Sequence, residues 1–343
     1  EKILLSLSQP FAISIDKSIE KNLGISGQEL YKQFSNTLKK RYTMLTQSIL
    51  KNEIKGEVII DNGYSNTFPT WSDDGKSIAY ISNEGNDYFG QTSLYLYDLE
   101  KGKTKKIIDG AIGRPSFNGN SIYYSKRSKY GNKNGSRFFD IYEFDFEKKI
   151  EIRKTKDFRA FNPIFSSIDS SLYYISTHDG TNNIFKVDLK TSKSEKITNF
   201  KNNEIVSDLN YDNDKDVLYF DLTNNHFRQI FTINLLDSSM VKLIDSDSFD
   251  HRQISTSKEF YVFSDDRSGI HNLYYVGENN QGYISNTSGG SFMPDINRNS
   301  EIVYSVFENG KFKIAIIDSI KIADASNVGY SPSYFQKNTN LKD

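Results

Sequence analysis

Four aspartates recur along this chain at a nearly constant interval. Asp98, Asp145, Asp188 and Asp318, with Asn234 and Gly277 at the places between, follow one another at a period of roughly 45 residues. Carboxylates are what a general acid–base pair or a hard cation needs. So wide a spacing, however, allots one of these residues to each repeat, too far apart to share a proton or a ligand. Each also ends an apolar run and precedes a turn, where a carboxylate or amide bonds its own backbone. They are therefore expected to be turn caps. The four histidines, His178, His226, His251 and His271, are all far apart, and no two have the spacing of zinc ligands. There is no cysteine, and neither a G-x-S-x-G elbow nor a phosphate-binding loop occurs. The expectation is a chain that is not an enzyme, with no catalytic residue, no metal site and no cofactor.

What remains is binding chemistry. Arg114, Lys126, Arg127, Lys129, Tyr130, Arg137, Phe158, Arg159, Phe161, His251, Arg252 and Phe292 fall in or beside inter-strand connections. Arginine and aromatic side chains together are the usual anchors of a protein interface. These twelve are the expected contact residues for a protein or peptide partner. With 43 basic and 44 acidic residues the net charge is −1, which argues against nucleic acid as the main partner. No apolar run approaches the roughly 20 residues that span a bilayer, so no membrane insertion of this segment is expected.

The elements that must position these residues are short strands. Pro69, Pro115 and Pro163 recur at nearly the same interval, each opening a strand, and Pro294 takes the same place in the last unit. Asp208 and Gln253 or Ile254 fill that place in the units between. A period of roughly 45 residues fits a four-stranded propeller blade. Within the units, 77–82, 121–125, 171–176, 216–221, 259–264 and 301–306 read as central strands, apolar in the middle. The last strands, such as Lys105-Lys106-Ile107-Ile108 and Glu151-Ile152-Arg153, carry charge, as suits an outer edge. The sixth unit lacks a fourth strand, and Glu57-Val58-Ile59-Ile60 looks like an outer strand without a blade. It is expected to complete the sixth blade and close the ring, so that deleting residues 56–61 destabilises the domain strongly.

The run Pro69-Thr70-Trp71-Ser72-Asp73-Asp74-Gly75-Lys76-Ser77-Ile78-Ala79-Tyr80 resembles the TolB-type, WD-like propeller repeat, with Asp73 in place of the usual proline. Ser264 to Tyr274 and His178 to Phe185 resemble its second half. The resemblance covers about 57–318 and implies an all-β fold. The expected architecture is a six-bladed β-propeller with four-stranded antiparallel blades, preceded by a short α-helical segment.

Ahead of the repeats, Asp16 to Leu23 reads as a short helix stopped by Gly24. Ser26 with Glu29 reads as a capping box opening an amphipathic helix of about six turns. Pro10 to Tyr42 is similar to the closing helices of a gluzincin-type peptidase-like domain, although no H-E-x-x-H occurs. The expected division is therefore 1–55 as the helical end of a preceding domain of the same parent chain, 56–318 as the propeller, and 319–343 as a tail or linker. The resemblance implies a non-catalytic protein- or peptide-binding scaffold of a bacterial cell-envelope protein, in the periplasm or at the outer membrane. Alternatives are an accessory docking or gating propeller of a larger hydrolase, and a metal-dependent lactonase-like propeller with acidic groups converging in the channel.

Overall fold

The computed structural model describes residues 1–9, 14–224, 226–244 and 248–330. Pro10, where the flank's resemblance begins, and residues 331–343 of the expected tail lie outside them. The chain divides into two compact units, one holding residues 1–51 with Tyr330 and the other Asn52–Gly329.

The first unit contributes three helices, α1 (Lys2–Leu7), α2 (Ile15–Leu23) and α3 (Gly27–Lys51). Gly24 ends α2 in the left-handed region, φ 71°, donating its N–H to the Glu20 carbonyl. Ser26 opens α3 by accepting the Glu29 N–H at 3.1 Å. The Glu29 carboxylate accepts from Gln33 at 3.2 Å, so one arm of the expected capping box is made in the described contacts.

The second unit is a six-bladed propeller of four-stranded antiparallel sheets. Blades 1 to 5 occupy 66–109, 111–153, 160–196, 205–242 and 251–283, each with strands a, b, c and d in chain order. Blade 6 has strands a to c over 291–317, and Glu57–Ile60 pairs with the last of them as strand d. The register sets Glu57 opposite Ile316 and Val58 opposite Ala315. The expected closure is thus present. It requires Gly56 beside the neighbouring strand, because a Cβ there would sit 2.2 Å from the Ile316 carbonyl oxygen.

Central strands are apolar on both faces because both are covered. Ile78, Ala79, Tyr80 and Ile81 are buried, as are Leu172, Tyr173, Tyr174 and Ile175. Each core cluster spans two neighbouring blades: Trp71, Tyr80 and Tyr95 of blade 1 pack with Ile60, Val303 and Ile314 of blade 6. Outer strands are exposed, as the run of Lys103 to Lys106 shows.

Three of the four recurring aspartates cap turns. Asp98 accepts the Lys101 N–H at 3.0 Å, Asp145 those of Glu147 and Lys148, and Asp188 those of Lys190 and Thr191. Residues 319–329 continue along blade 5, where Ala323 donates to the Tyr283 carbonyl and Gly329 to the Asn286 side chain.

Candidate functional site

Strand a of every blade lines the central channel, and every one carries a β-bulge. The register slips between Thr67 and Thr70, Ile112 and Ser116, Phe161 and Ile164, Val206 and Leu209, Arg252 and Ser255, and Phe292 and Asp295. In five blades the bulge holds a residue at positive φ: Phe68 51°, Gly113 70°, Asn162 48°, Gln253 59° and Met293 56°. A bulge takes a backbone group out of its own sheet and frees it for another partner. Here the freed groups reach the neighbouring blade. The Phe68 N–H meets Met293 Sδ at 3.3 Å, Met293 donates to Gln253 Oε1 at 3.2 Å, and Gln253 donates to the Asp221 carboxylate at 2.8 and 2.9 Å. From the other side Arg114 N–H donates to Asn162 Oδ1, and Asn162 Nδ2 to the Ser207 carbonyl. Both series run toward blade 4.

Charge is concentrated at the same level. Arg114, 1% exposed, forks onto Asp208 with Nε and Nη2 at 2.8–3.2 Å. Its Nη1 lies 3.9 Å from Asp295, whose other oxygen accepts the Trp71 N–H at 2.8 Å. One guanidinium of blade 2 thus bridges carboxylates of blades 4 and 6 across the channel. Burial works against the charge on Arg114, but Asp208 outweighs it and holds the guanidinium protonated. Burial pushes Asp295 up to about 6, with Arg114 opposing. Asp221 is pushed up to about 8 by burial and by the neighbouring Asp208 charge, with Arg228 at 4.0 Å opposing. Blade 2 shows what Asp221 displaces: at the matching place after the buried aromatic, Ser125 accepts the N–H of the next blade's bulge residue.

Antiparallel blades put the d–a and b–c connections on one face. There the expected contact residues part company. Arg114 and His251 are buried, not displayed. Strand a of blade 2 begins at Ala111, immediately after Gly110 that follows the preceding strand d, so Arg114 falls inside the strand and not in a connection. His251 is paired across the sheet with Asp265, its Nδ1 2.8 Å from the carboxylate, its ring edge-on to Phe263. Burial would raise Asp265, but His251, Arg267 and the Tyr283 hydroxyl hold it below the usual range. His271, on a b–c connection, is pushed down to about 4 by burial and by the Arg252 charge; its ring lies 5.4 Å from Phe292. Arg252 pairs with Asp250.

The other residues gather at blades 2 and 3. The Arg127 guanidinium lies 4.9 Å from the Phe139 ring centroid, and Phe139 sits 5.5 Å from Phe161. Arg159 stacks over Phe138 at 4.5 Å, Lys129 lies over Tyr130, and Arg137 Nε donates to the Ser128 carbonyl. Phe158 packs against His178 and Phe185. Lys126 is tied to Glu151 at 2.9 Å.

Sequence reasoning misses Asp208, Asp221 and Asp295 as a group. Asp208 carries a signal: it stands where other units place a proline, although Pro69, Pro115, Pro163 and Pro294 lie inside strand a at its bulge and do not open the strand as expected. No group of three or more His, Cys, Asp or Glu among the described residues is placed to hold a metal ion. No helix among them is long and apolar enough to cross a membrane.

The blades and their closure define the chain's second unit as a six-bladed β-propeller. Among solved structures the chain is similar to the putative TolB from Agrobacterium tumefaciens, with a TM-score of 0.56 and 17% identity over 67% of this chain and 86% of that one. It is also similar to TolB from Acinetobacter baumannii, with a TM-score of 0.51 and 18% identity over 76% of this chain and 56% of that one. At these identities the likeness is one of fold. Residues 151–274 match the family model for the dipeptidyl peptidase IV (DPP IV) N-terminal region. Dipeptidyl-peptidase 5 of Porphyromonas gingivalis is 25% identical over 138 residues, 38% of this chain and 20% of that protein. The match therefore spans one-fifth of that relative's length.

Proposed function

We propose that the propeller is a non-catalytic module that binds protein or peptide on the face carrying its d–a and b–c connections. The distribution of exposed aromatic rings carries this reading. Among the described residues of the propeller, Tyr64, Tyr88, Phe89, Tyr130, Phe227 and Phe249 are the exposed aromatics, and all six lie at that face. The opposite turns expose aliphatics such as Ile168 and Leu236. Aromatic rings left in water on one side only are the pattern of a recognition surface. The fold likeness to TolB supports placing the module in a bacterial cell envelope, at the periplasm or outer membrane.

Photo-crosslinking from Phe89 and Tyr130 in the full-length protein within its native cells tests the reading. Polypeptide adducts are expected there and not from Leu236 on the opposite face. Equal yields from both faces would refute it. A second reading, a docking or gating propeller of a larger peptidase, is favoured by the match of residues 151–274 to a peptidase region. It expects the full-length protein to cleave peptides, with Phe89→Ala plus Tyr130→Ala raising KM for long substrates and sparing kcat on short ones. A full-length protein without hydrolase activity removes this second reading alone.

A further inference from the structure

The binding face is not uniform in charge. Lys126 to Phe139 contains five cations and no acidic residue, in a chain whose net charge is −1. Arg159 lies against the same loop through Phe138. The carboxylates nearest to this sector are already taken. Asp140 and Asp157 accept from Arg153, and Glu151 accepts from Lys126 and from the Tyr124 hydroxyl. Among the described residues, Arg127, Lys129, Lys133, Arg137 and Arg159 are exposed and make no ion pair.

Two of these guanidiniums are also held in place. Arg127 rests on Phe139 and Arg159 on Phe138, and Phe139 in turn packs on Phe161. A guanidinium stacked on a ring keeps its in-plane N–H edge free, and that edge matches a carboxylate in two parallel hydrogen bonds. Stacking also removes part of the rotamer entropy that an exposed arginine loses on binding. We propose that blades 2 and 3 form a docking site for an acidic peptide segment, whose carboxylates pair with Arg127 and Arg159 while Lys129, Lys133 and Arg137 supply the surrounding field. The proposal rests on the polypeptide-binding reading of this face and specifies the partner's chemistry. Nucleic acid fits less well, because the rings on which a base would stack already carry guanidiniums. An anionic membrane fits less well too, because among the loop's aromatics only Tyr130 stands fully exposed, at 75%.

The test uses fluorescence anisotropy of short labelled peptides with the intact chain. A peptide rich in Glu and Asp is expected to bind. The same peptide with Gln and Asn is expected to bind on the order of tenfold more weakly, and raised salt to weaken the acidic peptide by a similar factor. Arg127→Glu with Arg159→Glu is expected to abolish the preference with only a small shift in the melting midpoint, since both side chains are exposed. Lys133→Ala alone is expected to cost about two- to threefold. Equal binding of acidic and amide peptides overturns the proposal. So does acidic-peptide binding that survives the double charge reversal, or capture by phosphatidylglycerol vesicles or single-stranded DNA without peptide binding. If Phe89 and Tyr130 still crosslink to polypeptide in that case, the electrostatic assignment fails while the reading of the face stands.

Discussion

Arginine is used in opposite ways at two levels of this propeller. At the channel waist Arg114 is sealed from water and commits its fork to Asp208, with Asp295 beyond. At the rim of blades 2 and 3, Arg127 and Arg159 lie in water, lean on phenyl rings and have no carboxylate. A buried guanidinium needs its partners, because an unpaired charge in the interior costs several kcal/mol. An exposed one needs none, since water already solvates it. The first arrangement holds a ring together, and the second leaves a surface ready to exchange water for a ligand.

The sharpest way to break this contrast is Arg114→Ala. It leaves Asp208 and Asp295 facing each other without a cation, and urea unfolding is expected to show a loss of about 3–5 kcal/mol. A loss below about 1 kcal/mol would mean the waist is as wet as the rim.

Next comes the pH dependence that Asp221 imposes. Its folded value, about 8, lies above that of an unfolded aspartate, so the folded chain holds the proton more tightly. The stabilisation is complete below the unfolded carboxylate range and is lost as pH rises through about 8. Asp295, at about 6, adds a fall of the same sign at lower pH. Asp221→Ser, which installs the residue blade 2 uses, is expected to flatten the decline between pH 6 and 8. An unchanged slope in urea midpoints across that range would remove Asp221 from the account.

Gly113→Ala probes the bulge ring with a smaller change. The new Cβ meets Asn162 Oδ1 at 2.1 Å on a backbone with φ 70°, and a loss of about 1–3 kcal/mol is expected. At the rim, Arg127→Ala and Arg159→Ala are each expected to alter stability by less than about 1 kcal/mol, the scale of an exposed cation–π contact. A larger loss by thermal denaturation would show that these arginines hold the loop together.

The fold is legible in the sequence because it repeats. Period, turn chemistry and two-faced apolar strands are local signals, and the strand 77–82 begins and ends where the pattern places it. The orphan strand at Glu57 is legible for the same reason, since one blade lacks an edge. The waist is not legible, because its chemistry joins residues far apart in the chain. Arg114 and Asp208 are 94 positions apart and meet only because blades 2 and 4 face one channel. Arg114 reads as a connection residue because a usual connection is several residues long, and here it is Gly110 alone. His251 is misplaced in a similar way, as the first residue of its strand. The rim residues are easier to find, since a loop with five cations and no acid shows its charge without any pairing.

The seam between Glu57–Ile60 and the strand Lys311–Ile317 has a consequence for biosynthesis. The ribosome delivers one half of the seam before any blade exists and the other half only with the last. Throughout that interval Ile60 and Trp71 wait on one flank of the growing arc, while their partners Val303 and Ile314 do not yet exist. An open arc exposes two sticky flanks, and a second nascent arc offers the same pair of surfaces. Premature joining between chains therefore competes with closure for as long as translation lasts. The early half of the seam is only four residues long, so a premature pairing through it gains few backbone hydrogen bonds.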